Sequence, residues 1–300
     1  MLWFYHRKGY RILLTDKGSF PSDTISTHHV HQPGVLRLKR WGLLDEVRAS
    51  NCPPLTQMSF YVGAFALFGA PPPIEGVAEA FSPRRHILDN ILIRAAEQAG
   101  AELREGFTVR ELTSDSRGVN GIVGLTRRGT PVTEKGRIII GADGKHSMVA
   151  RSVGARVYNE RPKLTCNYYS YWSGVRLKGT ELYIREHRMF VADRTNDGLT
   201  MIGVVLLVDE FQRMRSDLER QFMKELELGA NGDGCVLSVI VVGVPPCYAC
   251  VSSYGCSASC TLICDSAAVT HPSRPGNVPG APHHSVVNDP GNDSKNSSST

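Results

Sequence analysis

The chain has 300 residues, 41% hydrophobic and 21% charged, with a formal net charge of +5. Such a composition belongs to globular proteins with a substantial core, and it excludes collagen-like, coiled-coil and wholly disordered chains. The mild charge, with no stripe of lysine and arginine, gives no electrostatic footprint for nucleic acid.

The average conceals a break near Leu228. Of the 34 basic and 29 acidic residues only six (Asp233, Asp265, Arg274, Asp289, Asp293 and Lys295) lie in residues 229–300, while six of the eight cysteines crowd between Cys235 and Cys264. Residues 229–300 therefore read as a low-charge tail foreign to the body of the chain, with the last 30 residues disordered. The charge-free stretch 234–264 raises the question of a membrane tether, but Pro245-Pro246 and its Ser, Gly and Cys content make a poor spanning helix. Cys247-x-x-Cys250 has no second matched pair to complete a zinc site. Cys52 and Cys166 stand alone in the body, which suggests a reducing compartment and a cytoplasmic protein. His6, Arg7, Lys8 and Arg11 interrupt any signal-peptide core.

In chain order, WFYHRKG reads as the end of a helix closed by Gly9, and Tyr10 to Asp16 as a buried parallel strand ending in a carboxylate. Val35 to Ser50 has helical spacing with a break at Gly42. Residues 53–83 carry short extended runs among Pro and Gly, as strands of a separate layer do. Arg85 to Ala99 sets Ile87, Leu88, Ile91, Leu92, Ala95 and Ala96 on one helical face, with Gly100 as the cap. Glu102 to Leu112 reads as one strand, and Gly121 to Leu125 with Thr133 to Ile140 as a hairpin-like pair. A short helix starts near Ser147, residues 164–208 alternate as β-strands, and Asp209 to Leu228 is an amphipathic helix.

The richest chemistry lies in Ile138-Ile139-Ile140-Gly141-Ala142-Asp143-Gly144-Lys145-His146-Ser147. An apolar strand ending in two glycines lets the backbone approach a ligand, and the Asp143 carboxylate can accept hydrogen bonds from sugar hydroxyls. Amides of the following helix start can face a pyrophosphate. The same residues also suit a plain strand-to-helix turn with Asp as its cap, and both readings stay open. His28, His29 and His31 lack the carboxylate or cysteine that a metal site would need. Tyr168, Tyr169, Tyr171 and Trp172 divide between the two faces of a strand, one face packing and the other packing or lining an apolar cavity. No Ser/His/Asp triad, paired-carboxylate or P-loop pattern stands out, and no catalytic side chain is assigned.

RIIIGADGKHSMVARSVGA resembles the second flavin-binding motif of the p-hydroxybenzoate hydroxylase-like and geranylgeranyl reductase-like flavoproteins. Three further stretches keep that family's order: YRILLTDKGSFPSDT, HHVHQPGVLRLKRWGLLDEV and RRHILDNILIRAAEQAGAELREGFTV. The resemblance covers residues 8–228. It implies an α/β fold, a FAD/NAD(P)-binding Rossmann-like parallel sheet with an inserted antiparallel β substrate layer, incomplete at the N-terminus. The FAD-binding domain would comprise residues 1–50 and 84–156, and the substrate domain residues 51–83 and 157–228. It further implies FAD as cofactor, NAD(P)H as reductant and a small organic substrate. Asp16 would bind the adenosine ribose, Arg37 and Arg85 would contact the cofactor, and Val109 would give adenine a backbone contact. Gly141, Asp143 and Gly144 would complete the cofactor site, with His29 and Tyr171 lining the flavin and substrate side. Leu262-Ile263-Cys264-Asp265 faintly echoes the family's third motif, with Cys264 where glycine is expected. The family's glycine-rich turn and first strand would precede Met1, so an inactive fragment unable to hold FAD is the competing reading.

Overall fold

A computed structural model describes residues 9–26, 28–230, 249–252 and 260–265, all within the compact unit Met1–Ser266. The expected helix before Gly9 lies outside the described residues.

The first sheet is built around β1 (Arg11–Asp16), whose side chains after Arg11 are all buried. β4 (Glu102–Arg104) pairs parallel to it. On its other side comes β14 (Cys260–Asp265), antiparallel, and then β8 (Ile138–Ala142), which runs in the same direction as β1. Alternation along these strands divides their side chains between two layers. Ile12, Leu14, Ile138 and Ile140 pack with Ala96, Ile93 and Leu103, so helix α3 (Arg85–Gln98) covers one face. Leu13 and Ile139 pack with Phe107, Ile122 and Val132 of a three-stranded antiparallel sheet made of β5 (Thr108–Asp115), β6 (Gly118–Leu125) and β7 (Pro131–Lys135) and the residue before it.

The outer face of α3 supports α1 (Gln32–Arg40) and α2 (Leu44–Ala49), which the chain separates at Gly42. Val35, Val47 and Phe81 are fully buried in that cluster, and each such side chain contributes about 1.5–3 kcal/mol through burial.

The seven-stranded sheet has the order β13 (Ala249–Ser252), β9 (Thr165–Trp172), β12 (Thr200–Leu207), β11 (Arg188–Arg194), β10 (Thr180–Arg185), β2 (Met58–Val62), β3 (Phe65–Gly69). Only β10 and β2 pair parallel. Residues 53–83 thus join the strands of 164–208 in one layer. The even positions of β9, Tyr168 and Trp172, pack with Phe190, Val204 and Phe222 under helices α5 (Phe211–Ser216) and α6 (Leu218–Ala230). The odd positions, Tyr169 and Tyr171, form a separate cluster with Met201.

Several elements differ from the sequence reading. The strand expected over 102–112 is broken by the turn at Gly106 into β4 and β5, which belong to different sheets. The arm expected over 133–140 divides at Gly136, so only β7 completes the hairpin with β6 while β8 joins the first sheet. The 209–228 helix opens with a single 3₁₀ turn and breaks at Asp217, whose backbone leaves the helical region (φ −153°, ψ 78°). Two strands, β13 and β14, come from the segment set apart by its composition. Among the described residues, no helix is long and apolar enough to cross a membrane.

Candidate functional site

The C-terminal ends of β1 and β8 and the start of β5 surround a cleft of about 200 Å³ lined by Thr15, Lys17, Phe107, Thr108, Val109, Asp143, His146 and Met148. Asp16 sits between two of these lining residues and is 9% exposed. Its Oδ1 accepts a hydrogen bond from the Gly18 amide at 2.7 Å, and no described residue engages Oδ2. Burial raises the Asp16 carboxyl above its ordinary value, against the opposing effects of the Gly18 amide and Lys17. Val109 is half-buried beside a β-bulge in the β5–β6 pairing.

At the other wall Asp143 is fully engaged by its own turn. Oδ1 accepts from Ser147 Oγ at 2.5 Å, and Oδ2 accepts from the amides of Met148 at 2.6 Å and Val149 at 3.2 Å. Burial works to raise this carboxyl, but the bonds from Ser147, Val149 and Met148 hold it below the usual carboxylate value. Ser147 in turn accepts from the Ala150 amide at 2.9 Å. These bonds fix the start of the short helix α4 (Met148–Ser152), so the amides expected to face a pyrophosphate are taken up by Asp143.

Gly141 also serves this junction. A Cβ built there would lie 2.6 Å from Val149 Cβ and 2.8 Å from its Cγ1, so only glycine lets α4 sit this close to β8. Gly144 turns the chain in the left-handed region (φ +78°), which favours glycine. Asp265, at the end of β14, pairs with Arg11, whereas Cys260 pairs with Asp16 and Ala142. The antiparallel direction of β14 therefore puts Asp265 at the end of the sheet away from the cleft, unlike an acid that would share it with Asp16.

The remaining predicted residues lie elsewhere. Tyr171 is buried beside the segment before α1: its hydroxyl hydrogen-bonds His28 Nε2, and the Arg84 guanidinium covers its ring at 4.7 Å from the centroid. Arg84 pairs with Asp23. His28 is buried in a left-handed conformation (φ +62°), and burial lowers its pKa to about 4. His29 Nδ1 lies 2.9 Å from Asp193 Oδ2, and Thr180 Oγ1 donates to Asp193 Oδ1 at 2.6 Å. Arg85 holds Asp89 with Nε and Nη2 at 2.8 and 2.7 Å. Arg37 is exposed in the last turn of α1, with no side-chain partner among the described residues.

Thus Val109 and Asp143 share one cleft beside Asp16, Gly141 and Gly144 shape its wall, His29 and Tyr171 belong to the junction with the seven-stranded sheet, and Arg85 pairs with Asp89 along α3. Sequence reasoning missed Asp193, Thr180 and Arg84, and weighed His28 only as a member of a histidine cluster. A carboxylate within the apolar alternation of β11 was the one available signal for Asp193. Among the described residues, no group of three or more His, Cys, Asp or Glu is placed to hold a metal.

A family model described as FAD binding domain matches residues 4–215. The chain belongs to that family. Solved structures share its fold. The myxobacterial chondrochloren halogenase CndH, described as FAD-dependent, is 21% identical with a TM-score of 0.67, over 75% of this chain and 54% of that one. PqsL from Pseudomonas aeruginosa, described as a probable FAD-dependent monooxygenase, is 14% identical with a TM-score of 0.61, over 81% and 69%. CmlS, a flavin-dependent halogenase, is 19% identical with a TM-score of 0.64, over 88% and 47%. The chain spans about half the length of the two halogenases. No curated protein matches it.

Proposed function

We propose that this chain is the FAD-holding part of a flavin-dependent oxidoreductase acting on a small or apolar organic substrate. The reaction is hydroxylation with NAD(P)H and oxygen, or reduction of a double bond. The observation that carries this reading is the cleft that gathers Thr15, Lys17, Val109 and Asp143 around the end of β1. The donor set suits the adenosine end of FAD. Gly18 fixes one oxygen of Asp16 and leaves the second as acceptor for a ribose hydroxyl, and β5 at Val109 offers backbone polar groups to adenine. In this reading Arg37, which has no side-chain partner among the described residues, approaches the cofactor from α1, and Arg85 contacts it from the start of α3. When bound, the flavin carries the electrons, and the protein orients it and excludes water.

The test is visible absorption of purified protein after FAD is added and the excess removed. The expected result is a flavin spectrum at about one FAD per chain, as one site requires. Loss of a carboxylate that accepts charge-assisted hydrogen bonds costs about 1.5–3 kcal/mol, so Asp16→Ala should bind FAD tenfold or more weakly. A protein that stays colourless overturns the proposal in favour of an inactive member of the family.

A further inference from the structure

We infer that β3 is the seam of a symmetric dimer, in which a second copy of this chain sets its own β3 antiparallel and joins two seven-stranded sheets into one. The inference is independent of the flavin-dependent reading.

β3 ends the seven-stranded sheet, with β2 on its one paired side. All five of its residues are exposed. Phe65, Leu67 and Phe68 keep 63%, 54% and 58% of their surface in water. No Asp, Glu, Lys, Arg or His occurs from Met58 to Ile74. Proteins blunt sheet edges with charged residues or cover them, because an open edge offers its N–H and C=O groups to another strand. Among the described residues β3 has neither protection.

The hairpin fixes which backbone groups point outward. A two-residue turn at Gly63 (φ +57°) and Ala64 sets Val62 opposite Phe65, Phe60 opposite Leu67 and Met58 opposite Gly69. The pair that closes such a turn is hydrogen-bonded, and bonded and non-bonded pairs alternate along an antiparallel ladder. Phe65, Leu67 and Gly69 therefore bond inward to β2, and the groups of Ala66 and Phe68 face outward. A second β3 meets them in a symmetric register: Leu67 lies opposite Leu67 of the second copy, while Ala66 and Phe68 exchange bonds with the second copy's Phe68 and Ala66. The side chains suit that register. Phe68 faces Ala66 across the seam, Phe65 faces Gly69, and Leu67 meets its equal. This register pairs all five residues, whereas a shift either way sets part of β3 against the turn or against residues 70–71 beyond the strand. Phe68 also continues an aromatic row: Tyr61 lies edge-on to it at 5.7 Å and stacks on the buried Tyr183 at 4.6 Å.

Val62 is a further 45% exposed. With about 150–250 Å² for a whole aromatic, these four side chains leave about 400 Å² in water per copy. A symmetric pair removes up to about 800 Å² plus strand backbone, near the lower end of specific interfaces, so the dimer forms at about micromolar concentration.

Sedimentation velocity on the reduced full chain, from about 1 to about 100 μM, brackets such an interface. The mass should rise with concentration toward twice that of the chain. Leu67→Lys should hold it at one chain, because two lysines would face each other at the seam, with circular dichroism unchanged at this exposed position. Cysteine crosslinking reads the register without that variant. Non-bonded antiparallel pairs bring Cα atoms to about 4.5 Å, within disulfide reach. Leu67→Cys should therefore give a linked dimer under mild oxidation, above the level from the native cysteines. Phe65→Cys and Gly69→Cys should each stay at that level alone and crosslink when mixed. A single chain at every concentration overturns the inference, as does a dimer that Leu67→Lys leaves intact or Phe65→Cys linking to itself. Binding of the single chain to phosphatidylcholine vesicles, lost with Leu67→Lys, would give the surface to lipid and overturn the dimer.

Discussion

Gly141→Ala separates the two tasks that a glycine at the end of an apolar strand can have. The added methyl would sit 2.6 Å from Val149 Cβ, 2.8 Å from Cγ1 and 3.2 Å from Cγ2. Non-bonded carbons rest at about 3.5–4.0 Å, so α4 must retreat by about 1 Å. Overpacking of this kind costs about 1–3 kcal/mol. For a unit of this size that lowers Tm by about 2–12 °C. A retreat of α4 also stretches the bonds from the Met148 and Val149 amides to Asp143. Thermal and urea unfolding of FAD-free protein, followed by circular dichroism, measures the loss. Val149→Ala removes the two Cγ contacts but leaves Cβ, so the double variant Gly141→Ala/Val149→Ala should recover only part of the deficit relative to Val149→Ala alone. If Gly141→Ala leaves FAD-free stability unchanged and weakens only FAD binding, the close approach of α4 is not why glycine stands here, and the packing argument fails.

Asp143→Asn should flatten the acid limb of the stability profile. The folded carboxyl lies below its ordinary value of 3.8, so its contribution is present above that value and is lost as pH falls through the lower folded one. Urea midpoints against pH test this, and a profile identical to the native one refutes it. Asp16→Asn should behave oppositely: the folded carboxyl is raised by burial, so its ionised form costs stability at neutral pH, and asparagine keeps an acceptor for Gly18. Stability at pH 7 should equal or exceed that of the native chain while FAD binding falls, with the advantage vanishing in acid; a destabilised variant counts against this. His28→Asn should remove stability that the native chain loses between its ordinary pKa of 6.5 and about 4, where the buried imidazole takes up a proton. Acid titration of tyrosine fluorescence follows that loss. Glu225, 1% exposed, bridges Arg188 Nε and Arg213 Nη2 at 2.8 Å each. Glu225→Ala leaves Arg188 and Arg213 to Glu210, so it should cost about 1.5–3 kcal/mol in urea unfolding, the value of the lost charge-assisted bonds; no loss would refute it.

What could be read in advance depended on how far apart the interacting residues lie. The apolar face of α3 was legible because Ile87, Leu88, Ile91, Leu92 and Ala95 meet one packed layer at i, i+3 and i+4, whereas Ala96, read onto the same face, packs with Ile12 and Leu14 of the first sheet. The division of 133–140 was not, because two short strands carry the same alternation as one long strand and only pairing with distant partners distinguishes them. The pairing of His29 with Asp193 spans 164 residues, and no local pattern marks it. Arg85 shows the converse. An ordinary i, i+4 partner, Asp89, was visible in the sequence and accounts for two of its donor atoms.

The Gly-Ala-Asp-Gly segment was legible as important but not as to why. The residues that close a strand–turn–helix are those whose backbone and carboxylate also suit a ligand, since both tasks require small residues and an acceptor facing amide groups. In the folded chain Asp143 has both oxygens engaged by its own helix, whereas Asp16 has one oxygen engaged by Gly18. The asymmetry orders the two carboxylates: Asp143 preforms the wall of the cleft before any ligand arrives, and Asp16 is the acceptor with capacity remaining. Substitution at Asp143 should therefore be felt first in FAD-free stability, and substitution at Asp16 first in cofactor affinity.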